Sequence, residues 1–363
     1  MKIIYKGVKM KKFFTVLITA ILIFTVCFAT ACGDDNNGQV DGGKKLTVCT
    51  HTDSQAVGEY DYIDQTVYEE YACDVCGKCY KAVEDGVVID SMNEIKDYFA
   101  RSQMEQEVSV FYLREGVDFN EVITVNTLSN LIIVGGGNGV IVKQILLGQS
   151  GSSIIENLTI KNIKFNDSVS SYLNIRCKVA GLNVINCEFS NKATIKCQQG
   201  SDGTPYSKTL RNVVIDNCRF YDIMQSSELD SAISIVKCEN LEITNCSFQN
   251  INIGNAIKLG PNEIKGSLNI SNNTFGTLSR VMIEINDASN ISSCTIENNL
   301  FSSQESKYES AVNENLTGLY INVLNGSITI GSNKWYESLD LIWGDPICLN
   351  NVDGDMSQQI QLS

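Results

Sequence analysis

The chain has 363 residues, of which 43% are hydrophobic, and it contains 3 prolines against 27 glycines. These values suit a globular protein with a large core, and they exclude a Pro-rich linker protein or a collagen-like chain. The formal net charge is −14, and so acidic a chain is a poor candidate for binding DNA or RNA through general electrostatics.

The N-terminus combines a lysine-rich start with an apolar run over residues 13–28. That run is too short for a typical membrane-spanning helix and suits a signal peptide. It ends in ATAC (29–32), which resembles the lipobox of bacterial lipoproteins. The resemblance implies a signal peptide over 1–31, a lipid on Cys32 and a flexible tether over 32–45, which would anchor the protein at the outer face of the bacterial membrane. The same residues suit ordinary secretory cleavage, so secretion without an anchor is the alternative.

The segment 46–84 holds a C-x-H pair, Cys49 and His51, and then a C-x-x-C pair, Cys73 and Cys76. Two such pairs supply the four ligands of a closed tetrahedral zinc site, which is structural rather than catalytic. The arrangement resembles a small zinc-ribbon-like module of secreted proteins from Gram-positive bacteria, so we expect structural zinc as a cofactor. Disulfides among these cysteines are the alternative, because disulfides are natural outside the cell.

A short sequence phrase recurs between residues 157 and 335. Each copy has two apolar residues at alternate positions, then an asparagine (Ser332 in the last copy) and then an aromatic residue three positions later. The copies are NLTIKNIKF, GLNVINCEF, NVVIDNCRF, NLEITNCSF, SLNISNNTF, SCTIENNLF and SITIGSNKW. Strand-like alternation that repeats with a period in the twenties predicts an all-β solenoid, here of about eight coils.

Within the phrase, each asparagine is expected at a sharp bend between two strands, in the left-handed conformation that asparagine tolerates best after glycine. The aromatic residues are expected to stack inside the solenoid, and the asparagines to hydrogen-bond to one another along it. Cys187, Cys218 and Cys246 follow the asparagine and are interpreted as small buried filler with reduced thiols. Cys177 and Cys197 are predicted to share a second position.

A further strand precedes each phrase, and its period-two alternation predicts an inward column of isoleucines. The column is Ile175, Ile195, Ile233, Ile257, Ile283 and Ile321. Before the first coil, Ser91 and Glu94 match a capping box at the start of an amphipathic helix. This helix is expected to cap the N-terminal end of the solenoid, because the terminal core layer must be covered.

The region from about residue 85 onward resembles the right-handed parallel β-helices of the pectin-lyase-like superfamily. The residues DSAISI (230–235) and NLEITNCSF (240–248) are similar to the pectate lyase pattern DAI-x-I…NVWIDHCSF. The resemblance implies a right-handed parallel β-helix domain over 85–363. It supports the architecture more than an activity, because most of the matching residues are core and turn positions.

In that superfamily, substrates lie across the outer face of the first strand of each coil, so the resemblance implies a binding face there. The outward residues of these strands are Arg176, Lys196, Ser234, Lys258, Glu284 and Asn322, with Tyr320 beside them. Three basic residues on one face of an acidic protein favour an acidic glycan as the ligand. The alternative is that Arg176, Lys196 and Lys258 are ordinary solvated surface charges.

A lyase acting on a uronate polysaccharide needs a base for the α proton and a cation or metal for the resulting negative charge. Asp230 matches a calcium-ligand aspartate of pectate lyases, and Lys258 or Arg176 would be the base. The Arg-x-Pro-x-x-Arg signature of those enzymes is missing, however, and Asn245 replaces the histidine of the pattern. We therefore expect a non-catalytic, surface-anchored protein that binds glycans or cell-surface material. The alternative is a polysaccharide-active enzyme, first a lyase on a uronate polymer, for which calcium is a candidate cofactor, and second a glycoside hydrolase.

Overall fold

A computed structural model describes the chain in two compact units, Met1–Glu84 and Asp85–Ser363. The described residues are 54–61, 67–73, 79–82, 86–100, 110–126, 128–137, 139–148, 153–167, 172–197, 210–223, 231–251, 255–260, 264–276, 281–286, 290–302, 319–324, 327–336, 347–352 and 360–362. In the first unit, three strands form an antiparallel sheet. They are β1 (Ser54–Asp61), β2 (Val67–Cys73) and β3 (Cys79–Ala82), with β2 in the centre.

Most residues of the predicted zinc and lipid sites lie outside the described residues. Cys73 is the last residue of β2, whereas Cys49, His51 and Cys76 lie outside the described residues. Cys32 lies outside them as well, together with the predicted signal peptide and tether. Zinc binding and lipidation therefore stay predictions.

The described strands of the second unit form three parallel sheets, numbered so that the repeats visit them in the cyclic order 1, 2, 3. Sheet 1 contains β6 (Phe119–Val125), β8 (Val140–Leu147), β11 (Tyr172–Ile175), β14 (Thr194–Cys197), β17 (Ser231–Ile235), β20 (Asn255–Leu259), β23 (Ile283–Ile285), β26 (Leu319–Leu324) and β29 (Ile347–Val352). Sheet 2 contains β4 (Gly86–Ile89), β5 (Val110–Leu113), β7 (Leu128–Gly135), β9 (Ile154–Lys161), β12 (Lys178–Ile185), β15 (Leu210–Asp216), β18 (Cys238–Thr244), β21 (Ile264–Ser271), β24 (Asn290–Glu297), β27 (Ser327–Gly331) and β30 (Ile360–Leu362). Sheet 3 contains the first part of β8, β10 (Ile163–Asp167), β13 (Glu188–Asn191), β16 (Arg219–Tyr221), β19 (Ser247–Gln249), β22 (Thr274–Phe275), β25 (Leu300–Ser302) and β28 (Lys334–Tyr336).

Each strand pairs in parallel with the equivalent strand of the next coil. For example, β9 pairs with β12, β10 with β13 and β11 with β14. This pattern confirms the predicted all-β parallel β-helix. Five consecutive coils, from β9–β11 to β21–β23, are described apart from six gaps, the longest of which is 198–209, against the roughly eight coils expected from the sequence. Strands on either side of them continue the same three sheets.

The predicted aromatic column runs through the core. Its members are Phe165, Phe189, Phe220, Phe248, Phe275, Phe301 and Trp335. The phenylalanine rings stack face to face with centroids 4.7–5.0 Å apart, which is the spacing of neighbouring strands, and all six are fully buried. Burial of each ring stabilises the fold by roughly 1.5–3 kcal/mol relative to an exposed side chain.

The inward column of sheet 1 differs from the predicted one in two coils. In β11 it is Leu173, and in β26 it is Leu319, that aligns with the isoleucines of the neighbouring strands. The predicted residues Ile175 and Ile321 are buried too, but they lie two residues further along their strands. A shift of two residues keeps the same side chains facing inward, so the alternation of apolar residues does not distinguish the two registers.

The repeated asparagines adopt the left-handed conformation, as predicted. Asn162, Asn186, Asn217, Asn245, Asn272 and Asn298 have φ angles of 52–59°, and Ser332 takes the same place at 53°. The side-chain amide of Asn186 donates to Asn162 and that of Asn217 to Asn186, both at 3.3 Å. Asn245 donates instead to Asp216 at 2.7 Å. The chain thus bends from sheet 2 into sheet 3 at a stacked series of left-handed residues.

From the second coil of the repeat onward, the position after the turn residue supplies a hydrogen-bond donor to the preceding coil, whereas Ile163 occupies it after Asn162. Cys187, Cys218, Cys246, Asn273, Asn299 and Asn333 occupy it in consecutive coils. Each side chain donates to a backbone carbonyl, the thiols at 3.4–3.6 Å and the amides at 2.8–2.9 Å. The three thiols are free and buried, as predicted. They act as donors, however, and not only as filler.

Cys177 and Cys197 do not share a position. β11 and β14 pair Asn174 with Lys196, which places Cys197 one residue and Cys177 three residues beyond that pair. The two thiols, both buried and free, therefore lie two residues out of register with each other. The same uncertainty in the register of sheet 1 explains this error.

The helix α1 (Met92–Ala100) covers the N-terminal end of the core, as predicted. The amide of Glu94 donates to Ser91 Oγ at 3.2 Å, and the Glu94 carboxylate accepts from the amide of Asp90 at 2.8 Å. Met92 and Ile95 are buried, while Tyr98 and Phe99 pack against the core beside Phe111 of β5. Within the described residues, no helix is both long and apolar enough to cross a membrane.

Candidate functional site

One outward position on each strand of sheet 1 falls into a single row that crosses the coils. The residues of this sheet 1 row are Asn174, Lys196, Ser234, Lys258, Glu284 and Tyr320. Each aligns directly with the next across the strand pairing. Their neighbours along the strand are buried, as Ile257 and Leu259 are on either side of Lys258, so the row faces outward.

The strand register brings four of the predicted binding residues together and separates two others from them. The four in the row are Lys196, Lys258, Glu284 and Tyr320. Arg176 is exposed but follows the end of β11, two residues beyond Asn174. Asn322 likewise lies two residues beyond Tyr320 in β26. Asp230 lies outside the described residues, so its predicted role as a calcium ligand stays a prediction.

Lys258 and Glu284 form an ion pair across two adjacent strands. Lys258 Nζ lies 3.4 Å from Glu284 Oε1, and the two side chains are 22% and 18% exposed. The same carboxylate accepts a hydrogen bond from Asn286 Nδ2 at 2.7 Å and another from Asn255 Nδ2. Because hydrogen bonds to an ionised group are the strong ones, three neighbours fix the Glu284 carboxylate in place.

Lys196 packs against an aromatic ring of the preceding coil. Its Nζ lies 4.6 Å from the centroid of the Tyr172 ring, and only 7% of the residue is exposed. A cation over an aromatic face is stabilised by about 0.5–1 kcal/mol at exposed sites and by more when it is desolvated. The positive charge of Lys196 is therefore held close to the surface of sheet 1.

The sheet 1 row offers both hydrogen-bond donors and acceptors in a fixed arrangement. Asn174, Ser234 and Tyr320 carry neutral groups that donate and accept, while the ion pair adds a cationic donor and an anionic acceptor. Successive residues are one strand spacing, ~4.8 Å, apart. An extended polar molecule lying along the row would meet a new polar group at every coil.

Sequence reasoning missed four residues of this face: Tyr172, Asn174, Asn255 and Asn286. Tyr172 and Asn174 were missed because the predicted register put Arg176 in the row. Aligning YLNI of β11 with TIKC of β14 would have found both residues. Asn286 lies two residues after Glu284 and Asn255 three residues before Lys258, and no pattern of spacing identifies them as partners of Glu284.

In the described part of the chain, no three His, Cys, Asp or Glu side chains lie close enough together to hold a metal ion.

No model of a protein family, no curated protein and no solved structure matches this chain significantly. The fold and the site together define a parallel β-helix protein with a row of ordered polar side chains across one sheet.

Proposed function

We propose that this protein is anchored at the bacterial cell surface and binds glycans, without catalysis, on the outer face of sheet 1. The observation that carries the proposal is the sheet 1 row, from Asn174 to Tyr320, in which polar side chains from six successive coils align. Sugar hydroxyls donate and accept hydrogen bonds, so they suit a surface that presents both donors and acceptors.

The charged side chains of this face are held in place before any ligand arrives. Glu284 is fixed by Lys258, Asn255 and Asn286, and Lys196 rests on Tyr172. A surface that is already ordered loses less side-chain entropy on binding. The flat, repetitive geometry also favours a polymer over a compact ligand, because equivalent positions recur at each coil.

The resemblance of 85–363 to the pectin-lyase-like superfamily supports a carbohydrate ligand, and the β-helix architecture agrees with it. The lipobox-like residues before Cys32 support the anchor. On this proposal a lipid at Cys32 and the tether hold the β-helix at the outer face of the membrane.

Structural zinc in the N-terminal module, held by Cys49, His51, Cys73 and Cys76, is a second part of the proposal. Metal analysis of the full-length chain, purified without reductant, should find about one zinc ion per chain. A mass two protons lower for each cysteine pair, with no bound metal, would show disulfides in its place.

Glycan binding is tested by titrating the full-length chain, in detergent, against an array of bacterial and plant polysaccharides. Replacing Lys258 with alanine should weaken binding about tenfold or more, because it removes a charged donor from the row. Lys265→Ala, which changes a lysine of sheet 2, is the matched control and should bind like the unchanged protein. Equal binding by both variants, with unchanged thermal midpoints, would show that the ligand binds elsewhere.

The alternative function is a lyase acting on a uronate polysaccharide, with calcium as a cofactor. It is tested by following the absorbance of unsaturated uronate products with and without calcium. Loss of product formation in Lys258→Ala, Arg176→Ala and Asp230→Ala variants would support the lyase. Product that forms in all three variants would show a lyase with its site elsewhere, and no product on any acidic polymer supports the binding function.

A further inference from the structure

We propose that the glycan recognised by the sheet 1 row is neutral, and that uronate polymers are disfavoured there. This inference rests on the proposed function and names the chemical class of its ligand. The sequence, which places Lys196 and Lys258 among three basic residues on one face, favours an acidic glycan instead. The contacts of the two lysines in the folded protein lead to the opposite conclusion.

The positive charge of Lys258 already has a carboxylate partner within the protein. Glu284 lies one coil further along the same row, and its Oε1 is 3.4 Å from Lys258 Nζ. A uronate carboxylate approaching Lys258 from outside would also approach Glu284. Because both side chains are largely shielded from water, the repulsion between the two carboxylates would be screened weakly.

Glu284 is not free to swing away from such a ligand. Asn286 donates to its Oε1 at 2.7 Å, and Asn255 donates to its Oε2. Displacing Glu284 would break these hydrogen bonds as well as the ion pair, and it would leave a buried amide without its acceptor, since Asn255 is only 5% exposed. The carboxylate therefore remains in the row when a ligand binds.

The second lysine of the row is also a poor partner for a ligand carboxylate. Lys196 is 7% exposed, and its ammonium group lies over the Tyr172 ring. A ligand carboxylate would reach only a small part of this group. Arg176, an exposed cation two residues beyond Asn174 in sequence, lies outside the row.

The remaining groups of the row match neutral sugars. Asn174, Ser234 and Tyr320 are uncharged and can each donate and accept a hydrogen bond. The ion pair can do the same for two neighbouring hydroxyls, with Lys258 donating to one and Glu284 accepting from the other. The net charge of −14 on the chain adds a general repulsion of polyanions.

The inference is tested with matched polymers that differ only in charge. Polygalacturonate, alginate and hyaluronan are each compared with their carboxyl-reduced forms, in which the uronates have become neutral hexoses, and neutral xylan, mannan and β-glucan complete the panel. The full-length chain should bind neutral polymers about tenfold tighter than the uronate polymers. A neutral polymer avoids one contact between like charges, that of Glu284 with a uronate carboxylate, and this contact sets the ratio. Raising the salt concentration should change the affinity for the neutral polymers little.

The variant Glu284→Gln keeps the shape of the side chain and removes its charge. It should raise the affinity for the uronate polymers and bring the ratio of the two affinities toward one, because Lys258 would lose its internal carboxylate. Glu239→Gln is the matched control. It removes a carboxylate that pairs with Arg211 at 3.1 Å on sheet 2, and it should leave the ratio unchanged.

The possible results separate the inference from the proposed function. Tighter binding of uronate polymers by the unchanged protein would overturn the inference and leave glycan binding intact. A ratio unaffected by Glu284→Gln would overturn it as well, because the selectivity would then have another source. Failure of every polymer to bind would overturn both.

Discussion

The side-chain amide of Asn273 donates a hydrogen bond to the backbone carbonyl of Ile243, in the preceding coil, at 2.9 Å. The thiol of Cys246, at the equivalent position one coil earlier, is within donating distance of two carbonyls, that of Ile215 in the preceding coil at 3.5 Å and that of Thr244 in its own coil at 3.1 Å. Both donors are buried and follow the turn asparagine of their coil. A buried carbonyl at the bend needs a hydrogen-bond donor, and either a thiol or an amide at this position supplies one.

Cys246→Asn is expected to preserve the stability of the fold or raise it, because an amide at this position extends the ladder of Asn273 and Asn299 by one coil. Cys246→Ala removes the donor shared by the Ile215 and Thr244 carbonyls and should lower the free energy of unfolding by about 1–3 kcal/mol. Thermal midpoints of the two variants provide the measurement. If the asparagine variant melts at or below the alanine variant, the hydrogen bond does not explain why cysteine occupies this column.

The turn asparagines can be tested at Asn272, whose φ is 59°. Asn272→Gly should change the stability by only a few tenths of a kcal/mol, because glycine adopts this conformation without strain. Asn272→Val should destabilise the protein by about 1–2 kcal/mol, since a β-branched residue is strained there. Chemical denaturation of both variants measures the difference, and equal losses would argue against a conformational role.

Buried thiols make the fold sensitive to alkaline pH. Burial raises the pKa of Cys197 and of Cys294 from the ordinary value of 9.0 to about 12, and it raises the pKa of Cys218 and Cys238 as well. Above pH 9.0 the unfolded chain loses these protons while the folded chain keeps them. Stability should therefore be independent of these groups below pH 9.0 and fall above it, by at most about 1.4 kcal/mol per thiol and pH unit.

Unfolding midpoints measured on both sides of pH 9.0 test this expectation. The variant Cys294→Val removes one of the four thiols while keeping an apolar side chain in the core, so its alkaline loss should be smaller than that of the unchanged protein. An identical pH dependence in the two proteins would mean that other groups govern the alkaline transition.

The sequence was sufficient to predict the features that repeat in every coil. The Asn and Phe positions are set by elementary requirements, a left-handed bend and a filled core, and the structure has them where they were predicted. The cap α1 follows in the same way, because Ser91 and Glu94 mark a helix start before an apolar face.

The register of sheet 1 could not be predicted because β11 offers two inward apolar residues, Leu173 and Ile175. Either choice buries the same face, and the pairing of Asn174 with Lys196 depends on a loop whose length differs between coils. The ion pair of Lys258 and Glu284, by contrast, could have been predicted from the sequence. The two residues occupy equivalent outward positions in neighbouring coils, and opposite charges at such positions attract.

The most direct test of glycan binding on the outer face of sheet 1 is lysine acetylation of the full-length chain, followed by mass spectrometry. The labelling is compared with and without the tightest-binding polymer of the panel. Lys258 should be labelled severalfold less in the presence of the polymer. Lys178 on sheet 2 and Lys334 on sheet 3 are exposed, and their labelling should not change. Protection of Lys178 or Lys334 with no protection of Lys258 would contradict the assignment of the binding face.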